Sequence, residues 1–203
     1  MLIYKFKKMF TVLLSITVLL LLIVGYGIVY VGQSDVRKVI SSGELNENFT
    51  SFKELKKEAE MTIEGKVLEQ ETIVHGNLPF TISKVEIVNK YKGKVKKGDI
   101  IQVIETGGIY EPAGKNGEKL NKVELKLNNV STLKPEEHVF LFLRSFSGPQ
   151  VEGAHIPLGA YQGKFKVNKD GKVKQQANEE YKLIDFTEEK IETFKEKVKG
   201  IDK

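Results

Sequence analysis

The chain has 203 residues, a formal net charge of +5 at pH 7 and a sequence isoelectric point of about 9.1. It contains no cysteine, so disulfide frameworks and thiol catalysis are excluded and the fold must be stabilised by packing. Acidic and basic residues are interleaved along the chain, and the basic isoelectric point therefore does not indicate nucleic-acid binding.

A long apolar segment occupies residues 9–31, and no charged residue occurs between Lys8 and Asp35. As a helix this segment would span roughly 35 Å, against about 30 Å for the hydrocarbon core of a bilayer. Three lysines within 1–8 precede it, so the positive-inside rule predicts a cytoplasmic stub there and an extracytoplasmic remainder. We therefore predict a single-pass protein of the cell membrane with a signal anchor.

A cleaved signal peptide is the alternative interpretation of this segment, because it shares the basic start. Gly25 and Gly27 offer only a poor small-residue cleavage site, and no Ala-x-Ala motif is present. A retained anchor is therefore favoured. The lysine-rich, cysteine-free composition suggests a surface protein of a Gram-positive bacterium.

The part outside the membrane is predicted to begin with a linker at 32–50 and a short helix. Ser51 and Glu54 form a capping-box pattern at the start of that helix. Its apolar residues recur at helical spacing: Phe52, Leu55 and Ala59. The helix therefore leads into the first strand of a barrel domain at 51–180.

Alternating apolar residues predict six or seven short strands in this domain. Gly65 interrupts the first strand and a phase slip at Ser83 and Lys84 interrupts the second, which indicates bulges of the kind that close small barrels. The segment HVFLFLRSF, from His138, is the most apolar and is predicted to be central. The dipeptide at 170–171, Asp-Gly, predicts a hairpin turn.

The chain ends in an amphipathic helix predicted within 181–203, where Asp185 and Glu188 give a cap signal. Strands and helices do not alternate, which favours a mostly antiparallel sheet over a parallel α/β fold. The predicted fold is therefore mainly β. It is an OB-like small antiparallel barrel with a short N-terminal helix and a C-terminal helix, preceded by one transmembrane helix.

The order of these features is similar to that of a known class of barrels. The segments ELKKEAEMTIEGKVLEQ, ISKVEIVNKYKGKVKKGDIIQVIETGG and LKPEEHVFLFLRSF resemble the OB-like barrel of netrin-type modules and tissue inhibitors of metalloproteinases, over Glu54 to about Phe146. The same order resembles membrane-anchored surface proteins of Bacillus-like Gram-positive bacteria. The inhibitors act through an N-terminal cysteine that reaches the zinc, and this chain has none. The resemblance therefore implies a binding module and no inhibitory activity.

Lysines are concentrated between the second and third predicted strands, within VEIVNKYKGKVKKGDIIQVIETGG. Glycines permit a turn there and lysines solvate it, which predicts a solvated loop. The alternative is that Lys94, Lys96 and Lys97 attract an anionic lipid or wall polymer, because the domain is expected close to a membrane.

Two irregular segments place a tyrosine next to glycines and are candidate binding faces. One contains Gly107, Gly108 and Tyr110, and the other contains Tyr161 and Gln162. Loops on a rigid sheet carry most recognition, and glycines let a ligand approach the backbone. The alternative is that Tyr110 and Tyr161 cover the open ends of the barrel.

Catalysis has weaker support in the sequence. Glu105 and Glu111 bracket the glycine pair and are the best carboxylates for an envelope hydrolase, with His138 as a further candidate. No Gly-x-Ser-x-Gly motif is present, and His75, His138 and His155 lack the short spacing of metal ligands. We therefore predict a non-catalytic binding or accessory module of the cell envelope, with no cofactor, no metal and no nucleic-acid partner. Such a hydrolase is the alternative.

Overall fold

The computed structural model describes residues 36–148 and 151–200. The predicted cytoplasmic stub and the predicted anchor at 9–31 lie outside the described residues. Neither α-helix of the described part has the length and apolar character needed to cross a bilayer. This part is mainly β, as the strand pattern predicted.

Ten strands and two α-helices make up the described residues. The strands are β1 (Arg37–Ser41), β2 (Met61–His75), β3 (Leu78–Lys92), β4 (Ile100–Tyr110), β5 (Val123–Leu127), β6 (His138–Ser145), β7 (His155–Pro157), β8 (Lys164–Val167), β9 (Lys172–Gln175) and β10 (Glu189–Lys190). The helices are α1 (Phe52–Glu58) and α2 (Ile191–Lys199), and a 3₁₀ turn occupies Glu179–Tyr181.

Five of these strands close into a small mixed barrel. β2 pairs antiparallel with β3 and with β6, and β3 pairs antiparallel with β4. β7 completes the circle, because it pairs antiparallel with β6 and, through Val103 and His155, parallel with β4. A closed barrel therefore confirms the coarse prediction, although its last pairing is parallel.

Bulges in the ladder between β2 and β3 provide the bending that closure requires. The ladder between β2 and β3 shifts register between Glu64 and Gly65, as the glycine predicted. A Cβ at Gly65 would lie 2.6 Å from a methyl group of Val85, so only glycine fits there. The second irregularity also exists, but its extra residue is Leu68 of β2, opposite the predicted position in β3.

The other strands extend the wall of the barrel on both sides. β5 pairs with the end of β4 and carries β1 in parallel, and β8, β9 and β10 continue outward from β6. Part of the segment predicted as a linker thus forms β1, whose polar sequence RKVIS lacks a clear strand pattern. β8 and β9 are joined by the predicted turn, where Gly171 has a positive φ of 76°.

Apolar residues form two layers on either side of β6. Val139, Leu141 and Leu143 face the barrel interior, where they meet residues of β2, β3 and β4. Phe140 and Phe142 face outward and pack under the helices. The outer layer is largely aromatic: its main members are Phe52, Phe140, Phe142, Phe165 and Phe194. Both faces of β6 are therefore buried, and this strand is central as predicted.

The caps of the helices differ from the prediction at one end. The Ser51 hydroxyl accepts a hydrogen bond from the Glu54 amide at 3.2 Å, which confirms the predicted start of α1. Asp185 was predicted to cap the C-terminal helix, and this is wrong. Its carboxylate instead accepts a hydrogen bond from the Phe52 amide at 2.8 Å, so it holds the first turn of α1. The N-cap of α2 is Lys190, which makes no side-chain cap.

Candidate functional site

A cleft of about 860 Å³ opens between α1, the end of β3 and α2. We call it the lysine cleft. Its lining residues are Lys53, Lys56, Lys57, Thr62, Asn89, Lys90, Tyr91, Lys92, Glu192, Lys195, Val198 and Lys199. Seven of these twelve residues are lysines, one is a glutamate and none is an arginine.

Amphipathic packing of the two helices places their lysines at the cleft. α1 buries Phe52 and Leu55, and α2 buries Phe194 and Val198, in the aromatic layer outside the barrel. Residues three or four apart on a helix share a face, so each helix presents further positions along one side of its buried stripe. Those positions hold lysines in both helices, and the Lys56 side chain on α1 is itself buried.

The lysine cleft concentrates positive charge. The segment 35–203 carries a net charge of only +2, because three lysines ahead of it contribute to the +5 of the whole chain. Seven lysines and one glutamate give the lining a net charge of +6, so the remainder of that segment carries −4. A cleft lined by one sign of charge focuses the electrostatic potential and attracts ions of the opposite sign.

Carboxylates pair with some of these lysines, and Lys195 lies near both Glu64 and Glu192. Lys57 lies 3.6 Å from Glu58 and Lys199 lies 2.9 Å from Glu196, both at exposed positions. Among the described residues, Lys53, Lys90 and Lys92 take part in no ion pair within 4.0 Å. The Lys92 ammonium instead donates a hydrogen bond to the Lys57 carbonyl at 3.0 Å, which ties β3 to α1.

A buried carboxylate, Glu64, lies behind the lysine cleft and organises one wall. Asn89 and Tyr91 donate hydrogen bonds to its Oε2 at 2.6 and 3.2 Å. His138 Nε2 lies 2.8 Å from its Oε1, and the Lys195 ammonium lies 3.3 Å from the same oxygen. We call these five residues the Glu64 cluster. Three of them, Asn89, Tyr91 and Lys195, also line the lysine cleft.

The protonation states of this cluster follow from its contacts. Burial alone raises the pKa of Glu64, but the hydrogen bonds from His138 and Asn89 and the charge of Lys195 outweigh it and lower the pKa to about 2. Burial and the negative charge of Glu64 raise the pKa of Tyr91 above its ordinary value. Glu64 is therefore ionised near neutral pH and Tyr91 keeps its proton. A carboxylate so strongly ionised is a poor general acid, and its role is to position its neighbours.

Thr62 adds an unused hydrogen-bonding group to the cleft. Its side chain is fully buried on the outward face of β2, two residues before Glu64. Its hydroxyl has no hydrogen-bond partner among the described residues. A buried hydroxyl without a partner costs stability, so its presence against a cavity needs an explanation.

The two carboxylates considered for catalysis, Glu105 and Glu111, form ion pairs with different lysines. Glu105 is buried: its Oε1 lies 2.5 Å from the Lys164 ammonium and its Oε2 accepts a hydrogen bond from the Leu133 amide at 2.9 Å. Glu111 pairs with Lys119 at 3.4 Å and with Lys122 at 3.9 Å. Both oxygens of Glu105 are thus occupied by the protein itself.

The glycine pair lies inside β4, where the sequence predicted an irregular segment. Gly107 and Gly108 have positive φ angles of 112° and 127° and pair with β5. A Cβ at Gly108 would lie 2.2 Å from the Thr81 hydroxyl oxygen, and one at Gly107 would lie 2.7 Å from the Leu125 carbonyl oxygen. Close approach of protein backbone therefore accounts for both glycines. Tyr110 ends the strand and is half-buried.

Tyr161 and Gln162, which were predicted at a candidate binding face, are both buried. Tyr161 is 2% exposed, and its hydroxyl accepts a hydrogen bond from the Asn128 amide at 3.0 Å. Gln162 is fully buried and accepts a hydrogen bond from the Phe49 amide at 2.9 Å. Its own amide donates to the carbonyls of Phe49 and Tyr181. These two residues fasten chain segments together.

Lys94, Lys96 and Lys97 are exposed on the turn between β3 and β4, as the solvated-loop interpretation predicts. We call them the loop lysines. Among the histidines, His138 contacts Glu64, and burial lowers the pKa of His155. The described residues contain no group of three histidine, cysteine, aspartate or glutamate side chains suited to hold a metal ion.

Sequence patterns did not reveal the lysine cleft. Its lysines come from positions 53–57, 90–92 and 195–199, which no single sequence window covers. The available signal was the polar side of α1, where three lysines flank the buried residues. The glycine-rich turn drew attention to the loop lysines instead.

No known protein-family model matches the chain, and no curated protein or solved structure matches it either. The resemblance to netrin-type modules therefore stays a prediction. What the structure establishes is the five-stranded mixed barrel with additional strands.

Proposed function

We propose that this protein is a non-catalytic binding module that is anchored in the membrane by residues 9–31 and holds an anionic ligand outside the cell in the lysine cleft. One observation carries the proposal: among the described residues, seven lysines from three separate elements and a single glutamate line one cavity. Like charges held close together repel, so such a lining is unfavourable by itself. A bound anion would compensate it.

The distribution of charge supports binding over simple solvation. Lysines that only keep a surface soluble are usually interspersed with acidic residues. Here the remainder of segment 35–203 is net negative and the excess positive charge is gathered in a concave site. Lysine acts as a point charge that attracts anions from any direction, which suits recognition of a charged group in a cavity.

The barrel topology supports an OB-like assignment as the finer description of the fold. If the barrel strands β2, β3, β4, β6 and β7 are numbered 1 to 5 along the chain, they lie around the barrel in the order 1-2-3-5-4. The third and fifth of them are parallel. This is the arrangement of a five-stranded Greek-key barrel of the OB type, a fold that hosts many binding functions. The assignment concerns architecture and carries no specific activity with it.

The interactions of Glu105 favour a binding role over the hydrolase alternative. A catalytic carboxylate must reach substrate with at least one free oxygen. Glu105 is buried with Lys164 and the Leu133 amide on its two oxygens. Glu64 is ionised, and both of its oxygens likewise contact neighbouring side chains. Neither residue is placed to exchange a proton with a substrate.

Binding of a glycerol phosphate oligomer to the full-length protein in non-ionic detergent tests the proposal. The cleft variant replaces Lys53, Lys90 and Lys92 by glutamine. The matched control replaces Lys94, Lys96 and Lys97 by glutamine, so both variants lose three positive charges. At about 1 kcal/mol per lysine, the cleft variant should bind roughly 100-fold more weakly.

The control separates the lysine cleft from the loop lysines. We expect the control variant to bind within about threefold of wild type, because the loop lysines do not line the cleft and exposed charges are screened at physiological salt. Equal losses in the two variants would show that binding depends on net charge and would overturn the cleft as the site. The absence of salt-dependent binding by wild type would overturn the proposed function itself.

The membrane topology has its own test, which uses the absence of cysteine from the chain. Lys97→Cys places a thiol on an exposed turn, and Lys5→Cys places one in the predicted cytoplasmic stub. A membrane-impermeant maleimide added to intact cells should label the first variant and should label the second only after lysis. Labelling of both only after lysis would contradict an extracytoplasmic domain.

A further inference from the structure

The lysine cleft contains a second kind of ligand-binding group besides its charges. Thr62 lines the cleft, and its hydroxyl is fully buried with no hydrogen-bond partner among the described residues. A hydroxyl can rotate and donate to an acceptor that enters the cavity. Lysines that merely attract a polyanion would not require such a group, so Thr62 indicates a defined seat for part of the ligand.

Lys195 lies on the same wall with a fixed orientation. Its ammonium lies 3.3 Å from Glu64 and 3.7 Å from Glu192, and Glu64 is itself held by three other side chains. An ammonium group has three donors, so two carboxylates leave one for a ligand. Lys56, whose side chain is buried, lines the same cleft and adds a second positive charge to it.

The residue types of the cleft discriminate between anions. Planar carboxylates are recognised best by the two-pronged guanidinium of arginine, and the cleft has none. A phosphoryl group spreads up to two charges over tetrahedral oxygens, and point-charge ammonium groups with one hydroxyl fit that distribution. Among the described residues, Tyr91 is the only aromatic one in the lining, and its hydroxyl donates to Glu64, so the cleft lacks the several aromatic rings on which nucleobases stack.

We propose that the inner wall of the lysine cleft, formed by Thr62, Lys56 and Lys195, is a seat for one phosphoryl group carried by a polar, non-aromatic molecule. The remaining lysines hold the rest of that molecule. This inference rests on the proposed function and specifies its ligand class. A phosphorylated polymer of the envelope and a phospholipid headgroup share this chemistry. Binding at Thr62 requires side chains of the cleft to move, because the hydroxyl is fully buried.

Replacing Thr62 by valine tests the seat, because valine keeps the shape of the side chain and removes only the hydroxyl. The matched control is Ser83→Ala. Ser83 also has a fully buried hydroxyl without a partner among the described residues, and it does not line the lysine cleft. Both variants are prepared as full-length protein in non-ionic detergent, and their thermal unfolding is measured alongside binding.

The probes are a glycerol phosphate oligomer and a polyglutamate of equal charge. Thr62→Val should weaken oligomer binding about tenfold or more, the usual effect of a lost hydrogen bond to a charged group. The dependence of its affinity on salt should not change, because no charge is removed. Polyglutamate affinity should change less than twofold in this variant, and Ser83→Ala should bind both probes as wild type does.

The outcomes separate this inference from the proposed function. Suppose that wild type binds the two probes with equal affinity and that Thr62→Val leaves both affinities unchanged. This result would overturn the phosphoryl seat and leave general anion binding in place. Equal losses in Thr62→Val and Ser83→Ala would likewise overturn it. If wild type binds neither probe, the proposed function is overturned, and the phosphoryl seat is overturned with it.

Phosphatidylglycerol added to the detergent micelles distinguishes the two sources of phosphate. A lipid headgroup that occupies the seat should compete with the oligomer in wild type and compete about tenfold less well in Thr62→Val. Unchanged oligomer affinity in the presence of the lipid would assign the seat to a soluble or wall-borne phosphate.

Discussion

Two buried carboxylates of this molecule, Glu105 and Glu64, each meet a lysine, but their surroundings differ. Glu105 and Lys164 are both 3% exposed and satisfy each other inside the fold, with backbone groups occupying their other hydrogen bonds. Glu64 pairs with Lys195 at the edge of a cavity that holds six further lysines. We call Glu105 and Lys164 the closed pair, because their two charges neutralise each other. Around Glu64 and Lys195, by contrast, the other lysines leave a large positive excess that faces open space.

This difference separates a structural ion pair from a candidate binding site. A buried pair whose members are both satisfied offers nothing to a ligand, whatever its sequence context suggests. A cluster whose positive charges outnumber the carboxylates beside them attracts an anion from outside the protein. The glycine pair directed the sequence-based hypothesis to Glu105, while the surplus charge lies around Glu64. The comparison makes predictions for stability as well as for binding.

The largest expected effect comes from breaking the closed pair. Glu105→Gln leaves the Lys164 ammonium buried without a counter-charge, so the free energy of unfolding should fall by about 3–5 kcal/mol in a urea titration. Binding of the phosphate oligomer should be unchanged under folding conditions. The double variant Glu105→Leu/Lys164→Met removes both charges and should be clearly more stable than Glu105→Gln. A change below about 1 kcal/mol in the single variant would refute the closed-pair interpretation.

Glu64→Gln should act on stability in a pH-dependent way. The ordinary pKa of 4.5 falls to about 2 in the folded protein, a difference worth on the order of 3 kcal/mol. Because the folded-state pKa is lowered, this contribution is fully present above pH 4.5 and is lost as the pH falls towards 2. The difference between wild type and variant in urea titrations should therefore be large at pH 7 and smaller at pH 3. A constant difference across that range would contradict an ionised Glu64.

The smallest effect concerns the support of the cleft wall. Asp185→Ala removes the acceptor for the Phe52 amide and should lower the free energy of unfolding by about 1 kcal/mol. Because α1 supplies three lysines to the cleft, oligomer affinity should also fall slightly. Asp185→Asn keeps an acceptor oxygen and should retain most of the stability. If Asp185→Ala instead destabilised α2 alone, as hydrogen exchange would show, the cap assignment would be wrong.

Local features of the fold were accessible from sequence because neighbouring residues determine them. The Ser51 cap and the turn at Gly171 each involve residues a few positions apart. The continuous apolar run likewise predicted β6 as central, since both of its faces are apolar. In each case the physical cause lies within one short window.

Features that depend on distant residues were missed. Asp185 caps a helix 133 positions earlier in the chain, and nothing near it in the sequence indicates that partner. The parallel contact of β7 with β4 closes the barrel through one residue pair, Val103 and His155. Gly107 and Gly108 were interpreted as a loop, because close backbone approach across strands leaves no local pattern. The lysine cleft belongs to the same class, since it exists only after three elements have packed.

Lysine footprinting of the full-length protein tests whether the lysine cleft holds the anion, because it locates the bound anion without any mutation. The protein in non-ionic detergent is acetylated briefly with and without the glycerol phosphate oligomer, and mass spectrometry gives the rate at each lysine. If the oligomer binds in the lysine cleft, we expect slower acetylation at Lys53, Lys90 and Lys92 when it is present. The rates at Lys94, Lys96 and Lys97 should be unchanged. Protection of the loop lysines with the cleft lysines unaffected would contradict binding in the lysine cleft.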